Sequence, residues 1–160
     1  MGKYEIIRVF TSSSLEEILE EGGSGWWKIN EAHASKCKYI ICIQNNNGPR
    51  TSIGKKGTYA PYNTGFIIGE ISKIIKDDKS GRKLICFNKY AKIELHNVKL
   101  ENRNPVSYIS STEINLDFDT LEFEDIPKNL FKPLTIEEAK EGLALKYNLD
   151  TSRITIEIKF

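Results

Sequence analysis

Trp26 and Trp27 close the run Gly22-Gly23-Ser24-Gly25 and are the only indoles in the 160-residue chain. A flat π face recognises a flat base by stacking, worth about 1–3 kcal/mol per base by alanine substitution, and an aromatic surround also suits a methylated amine. The glycines before the indoles permit close backbone approach to a ligand. A base reader also needs amides, which both donate to and accept from a base edge; Asn30 and Asn45 supply them. Downstream, Arg50, Lys55, Lys56, Tyr59 and Tyr62 interleave cations with aromatic rings, as a segment following a nucleic-acid backbone does. Each residue also has a structural alternative. The indoles can plug the end of a sheet, Asn30 can cap a helix, Asn45 can turn the chain, and the basic segment can be a solvated loop.

Other chemistries lack their residues. His33 and His96 are the only histidines, and the spacing of Cys37, Cys42 and Cys86 matches no zinc pattern, so no metal or other cofactor is expected. Cys42 and Cys86 stand among strand-forming apolar residues and read as small buried hydrophobes before nucleophiles. The stretch from Gly48 to Gly57 fails the phosphate-loop pattern, because Lys56 stands where Ser or Thr is required and no helix follows. The acids of residues 113–125 alternate with Leu116, Phe118, Leu121 and Phe123, as in a solvated edge strand or turn. No catalytic residue is assigned.

The net charge of +1 hides an asymmetry. Residues 36–92 carry twelve Lys and Arg against three acids, a local +9, and residues 101–160 carry seven against twelve, a local −5. Attraction for phosphate is thereby confined to one region, although an ordinary solvated surface has the same composition. The odd cysteine count fits a reducing compartment, and residues 1–10 alternate in polarity without a long apolar block. The expectation is a cytoplasmic chain with no membrane partner and an oligomeric state the sequence leaves open.

These residues need elements to position them. YEIIRVF at 4–10 reads as a strand; Ser14 and Glu17 form a capping box for a short helix that Gly22 ends, with residues 22–27 as a glycine loop. Asn30 caps a second short helix, KYIICIQ at 38–44 is an apolar strand, and residues 45–65 form a long loop or irregular hairpin. GFIIGEISKII, a turn at 77–81, RKLICF and YAKIEL continue as a meander. Thr135 and Glu138 cap a helix with Ile136, Ala139, Leu143 and Tyr147 on one face, and RITIEIKF alternates as a strand that ends in the sheet. Helices come early and late, so the class is α+β with a curved, mostly antiparallel sheet of five to six strands. Residues 1–125 form the main domain; residues 126–160 are a connector and a helix-strand appendage on it.

The order of features resembles the PUA-like superfamily, in particular the YTH and EVE domains that read modified bases in RNA or DNA. YEIIRVFTSSSLEEILEEG followed by Trp27 resembles the YTH opening of strand, capped helix and pocket tryptophan. KYIICIQNNNG resembles the central strand with its asparagine and glycine, GFIIGEISKII the next strand, and HNVKLENRNPVSY a late Leu-Glu-Asn and Pro-Val stretch. The resemblance implies a PUA-like β-barrel and a non-catalytic reader of a modified or flipped base, with Trp27 as the stacking residue. RKLICFNKYAKIEL holds no second tryptophan, so Trp26, Tyr59, Tyr62 or Phe66 would complete the pocket and the ligand is some flat base. Two other readings stand beside it. A small ASCH-like hydrolase or nucleotide-processing enzyme would need a lysine and carboxylates to converge, with Lys28, Glu31 and Glu70 nearest. An interaction module without a ligand pocket would leave an exposed apolar patch or sheet edge near residues 135–160.

Overall fold

The structure, a computed structural model, describes residues 3–45, 60–96, 98, 104–127 and 134–159. They divide into two compact units, Met1–Pro127 and Lys128–Phe160.

In the first unit, β1 (Glu5–Thr11) leads to α1 (Leu15–Glu21), β2 (Gly23–Trp27), α2 (Glu31–Ala34) and β3 (Tyr39–Gln44). Ser14 and Glu17 close the α1 capping box, and Gly22 ends the helix in the left-handed region at φ 73°, a backbone state that carries no Cβ penalty only for glycine. The intervening chain is long enough for β3 to return parallel to β1, Ile6 facing Tyr39 and Thr11 facing Gln44. β4 (Gly65–Lys76) and β5 (Lys83–Leu95) then form a long antiparallel hairpin, β6 (Val106–Ser110) pairs with β1, and the short β7 (Glu124–Asp125) pairs with β5. The strand order is β2-β5-β4-β3-β1-β6, with β7 off that path. The fold is α+β, built on a curled mixed sheet that forms a half-barrel.

Curling follows from the irregularities in β4 and β5, where the register shifts between Gly65 and Ile67 and on both sides of Ile71. Each face of the sheet carries a core. One gathers Ile7, Val9, Ile18, Ile40, Phe66 and Phe87, with Trp27, Ile29 and Tyr108 packed against it. The other holds Ile6, Tyr39, Ile41, Ile43 and Ile68 and is covered by Phe118, Leu121 and Phe123. The acidic 113–125 stretch therefore forms two 3-10 turns and β7, its apolar residues packing inward and its acids facing out. Among the described residues, no helix is long and apolar enough to cross a membrane.

Several expectations change. Residues 23–27 form an edge strand, not a glycine loop, because β5 offers them a hydrogen-bonding edge. RKLICF and YAKIEL merge into the single strand β5, since β4 is long enough to pair with all of it. In the second unit, α3 (Ile136–Tyr147) keeps its Thr135–Glu138 capping box, but the face carrying Ile136, Leu143 and Tyr147 is exposed while Ala144 is buried. Residues 154–159 alternate in burial over Ile154 and Ile156 yet adopt no strand, since no described strand pairs with them.

The β2 glycines answer to the sheet. A Cβ on Gly23 would lie 2.3 Å from the Ile85 carbonyl oxygen, and one on Gly25 2.8 Å from Leu84 Cδ1. A Cβ on Gly81, by contrast, would meet nothing within 4 Å, and only its φ of 68° constrains it. Gly23→Ala is expected to lower stability in urea unfolding by about 1–3 kcal/mol through overpacking. Gly81→Ala should cost only about 1 kcal/mol, the penalty for a left-handed backbone.

Candidate functional site

The two indoles serve different surroundings. Trp26 is 38% exposed; its Nε1 donates to Glu21 Oε1 at 3.0 Å, and its carbonyl accepts from Arg82 Nη1 at 3.0 Å. Trp27 is half-buried against the first core, and its Nε1 donates to Ser24 Oγ at 3.2 Å. Ser24 is itself buried. Trp27 is thus fixed at the rim of the core by packing and by its polar edge together. This geometry suits an indole that presents a set plane, at little further entropy cost, to a ring arriving from solvent.

Directly across the β2–β5 pairing from Trp27 stands Lys83. Opposite residues in an antiparallel pair share one face, which puts Lys83 and Trp27 on the same side of the sheet, next to a register shift between Ser24 and Trp27. Only 11% of the Lys83 side chain is exposed. Its Nζ donates to the Ile29 carbonyl at 3.4 Å and lies 3.9 Å from Glu31 Oε2, on a carboxylate-bearing chain that is 64% exposed. Sequence reasoning missed Lys83 because RKLICF reads as a strand start with a solvated lysine. The signal that finds it is register, which needs β2 to be recognised as a strand.

Asn30 stands close in sequence to Trp27, but its Oδ1 accepts from the His33 amide at 3.1 Å, so it serves as the α2 cap. Asn45 follows the end of β3, where its main-chain N–H donates to the Thr11 carbonyl at 2.7 Å. Phe66 is 2% exposed and packed in the first core, so its ring is committed to β4 packing and offers no pocket wall. Tyr62 is 54% exposed and meets Phe10 edge-on with ring centroids 5.5 Å apart. Arg50, Lys55, Lys56 and Tyr59 lie outside the described residues. The chain on either side of that segment is tied by the fully buried Gln44, whose Nε2 donates to the Thr11 carbonyl while its Oε1 accepts from the Ala60 amide. The structure thus groups Trp27 with Lys83, Ile29 and Glu31, and assigns Asn30 and Phe66 to local structural tasks.

The residues named for a hydrolase are dispersed. Lys28 is exposed and Glu70 sits on β4 opposite Tyr39 and Lys89, while Glu31 pairs with Lys83. His33 does not activate a thiol: its ring stacks on Tyr108 at 3.9 Å and its Nε2 lies 3.4 Å from Glu5, while Cys37 donates to its main-chain carbonyl. No protein-family profile, curated protein or solved structure matches the chain.

All three cysteines are free and buried. Burial pushes the Cys42 thiol up to about 12 against a small opposing effect of the Ser24 hydroxyl, and burial with the nearby Glu5 charge raises Cys37 to about 11. The folded state holds these protons more tightly than the unfolded chain. Their stabilisation is therefore complete below the unfolded value near 9 and is lost as pH rises from about 9 towards 12. Unfolding free energy should fall between about pH 8 and about pH 10.5, and Cys42→Ala should reduce that fall by about 2 kcal/mol, measured in urea at both values.

Proposed function

We propose that this protein is a non-catalytic nucleic-acid-binding domain of PUA-like fold that takes a modified or flipped base against Trp27. The observation that carries the reading is the setting of that indole, half-buried, fixed through Ser24, and flanked by a buried cation across the strand pairing. The basic middle of the sequence supplies long-range attraction for phosphate, and the YTH- and EVE-like order of features supports the same reading.

Anisotropy titrations with short single-stranded RNA and DNA, unmodified and base-methylated, at two salt concentrations test it. Trp27→Ala should weaken binding by about 5- to 150-fold, the equivalent of about 1–3 kcal/mol of stacking, whereas Trp26→Ala should leave it within about threefold. No binding, or binding indifferent to Trp27→Ala, would overturn the reading.

A second reading concerns the Lys128–Phe160 unit alone. Leu134, Ile136, Leu145, Tyr147 and Ile158 are exposed there, and a groove of about 420 Å³ is lined by Ala144, Leu145, Asn148, Leu149 and their neighbours. Apolar side chains crowded on so small a unit suit an interaction surface. On that reading the chain sediments faster with rising concentration, and Leu145→Asp abolishes the effect; a concentration-independent monomer counts against self-association.

A further inference from the structure

A buried ammonium needs partners. Lys carries three donors, and an ionised group taken out of water is costly unless charge and hydrogen bonds compensate it. Among the described residues, Lys83 meets one carbonyl at the long distance of 3.4 Å and one mostly exposed carboxylate at 3.9 Å. Across its other strand pairing stands Lys76, a like charge that adds to the cost. Apolar replacement of a buried ion pair is often neutral or stabilising for folding, so the lysine is a natural candidate for a role in binding. A ligand oxygen would supply what is missing.

Resting on the reading of Trp27 as the stacking face, we propose that Lys83 and Trp27 form one site that selects a base bearing a carbonyl oxygen on its edge. The base lies on the indole while the Lys83 ammonium donates to that oxygen, as lysine does to the O6 edge of guanine. Guanine, hypoxanthine, uracil and thymine derivatives carry such an acceptor; adenine and 2-aminopurine do not. The Ile29 carbonyl and the Glu31 carboxylate keep the ammonium oriented, and Glu31, at the solvent side, leaves at least one donor for the ligand. Lys83 is thus a specificity-determining residue of the site, and no bond is made or broken there.

The test uses the full chain and single-stranded oligonucleotides that differ at one central base: hypoxanthine, 2-aminopurine, uracil or adenine. Hypoxanthine differs from 2-aminopurine at positions 1, 2 and 6 and from adenine at positions 1 and 6, so a preference over both is carried by the 6-oxo group with its N1 proton. The wild-type protein should bind hypoxanthine and uracil about tenfold more tightly than 2-aminopurine and adenine. Lys83→Met should remove that preference while leaving the melting temperature unchanged or higher, the signature of a charge kept for binding and not for stability. Lys83→Arg should retain part of the preference. Equal affinity for hypoxanthine and 2-aminopurine in a protein whose binding still depends on Trp27 overturns the assignment of Lys83 and leaves the base-binding reading intact. Binding that does not depend on Trp27 overturns both. A Lys83→Met protein that melts well below wild type but keeps the oxygen preference makes Lys83 a structural residue and overturns the proposal.

Discussion

The β5 strand is the constraint on which the first unit depends. It pairs with β4 from Lys83 to Leu95, receives β2 at its opening residues, and takes β7 at Lys89 and Tyr90. A strand shared in this way fixes several registers together, because a slip by one residue would exchange its buried and exposed faces. Register shifts in the β4–β5 pairing bend the sheet and give it a concave side on which Trp27, Phe66 and Phe87 can pack against one core. Gly69 belongs to the same device: a Cβ there would fall 2.5 Å from the Phe87 ring, so the glycine makes the space that the ring fills.

The candidate site is a product of that pairing. Trp27 and Lys83 are 56 positions apart in the sequence, and only the β2–β5 register sets them opposite one another. Around them the balance of forces is uneven. Trp27 is held by apolar contact and a hydrogen bond to Ser24, both favourable. Lys83, with 11% of its side chain exposed, keeps its ammonium among the described residues on one carbonyl and one distant carboxylate. Adjacent residues of one favourable and one unfavourable kind are the usual mark of a place where stability has been traded for recognition.

Burial treats the ionisable groups of this core in opposite ways. Cys42 and Cys37 meet desolvation by keeping their protons, which converts them into small apolar side chains. Glu5 and His33, near the surface, share an ion-pair geometry, the His33 ring stacks on Tyr108, and both side chains remain in reach of solvent. Among the described residues, Lys83 meets a carbonyl and a partly solvated carboxylate, which sets it apart from both groups.

The sequence by itself determined the elements whose causes are local. Ser14, Asn30 and Thr135 with their capping partners, Gly22 as a left-handed stop, and the apolar runs of β1, β3 and β4 all announce themselves within a few residues, because caps, turns and periodicity act over one or two turns of chain. It also picked out Trp27 as an indole in an unusual setting. Tertiary structure decided the rest. The glycines of residues 22–25 read as freedom for a ligand, but the close approach they permit at Gly23 and Gly25 is to the backbone and side chains of β5. RITIEIKF has the alternation of a strand and no described partner, since alternation specifies faces and pairing needs a second chain segment. Lys83 shows the physical reason most directly. Its burial, its partners and its place beside Trp27 arise from contacts distant in sequence, to which no local pattern is sensitive.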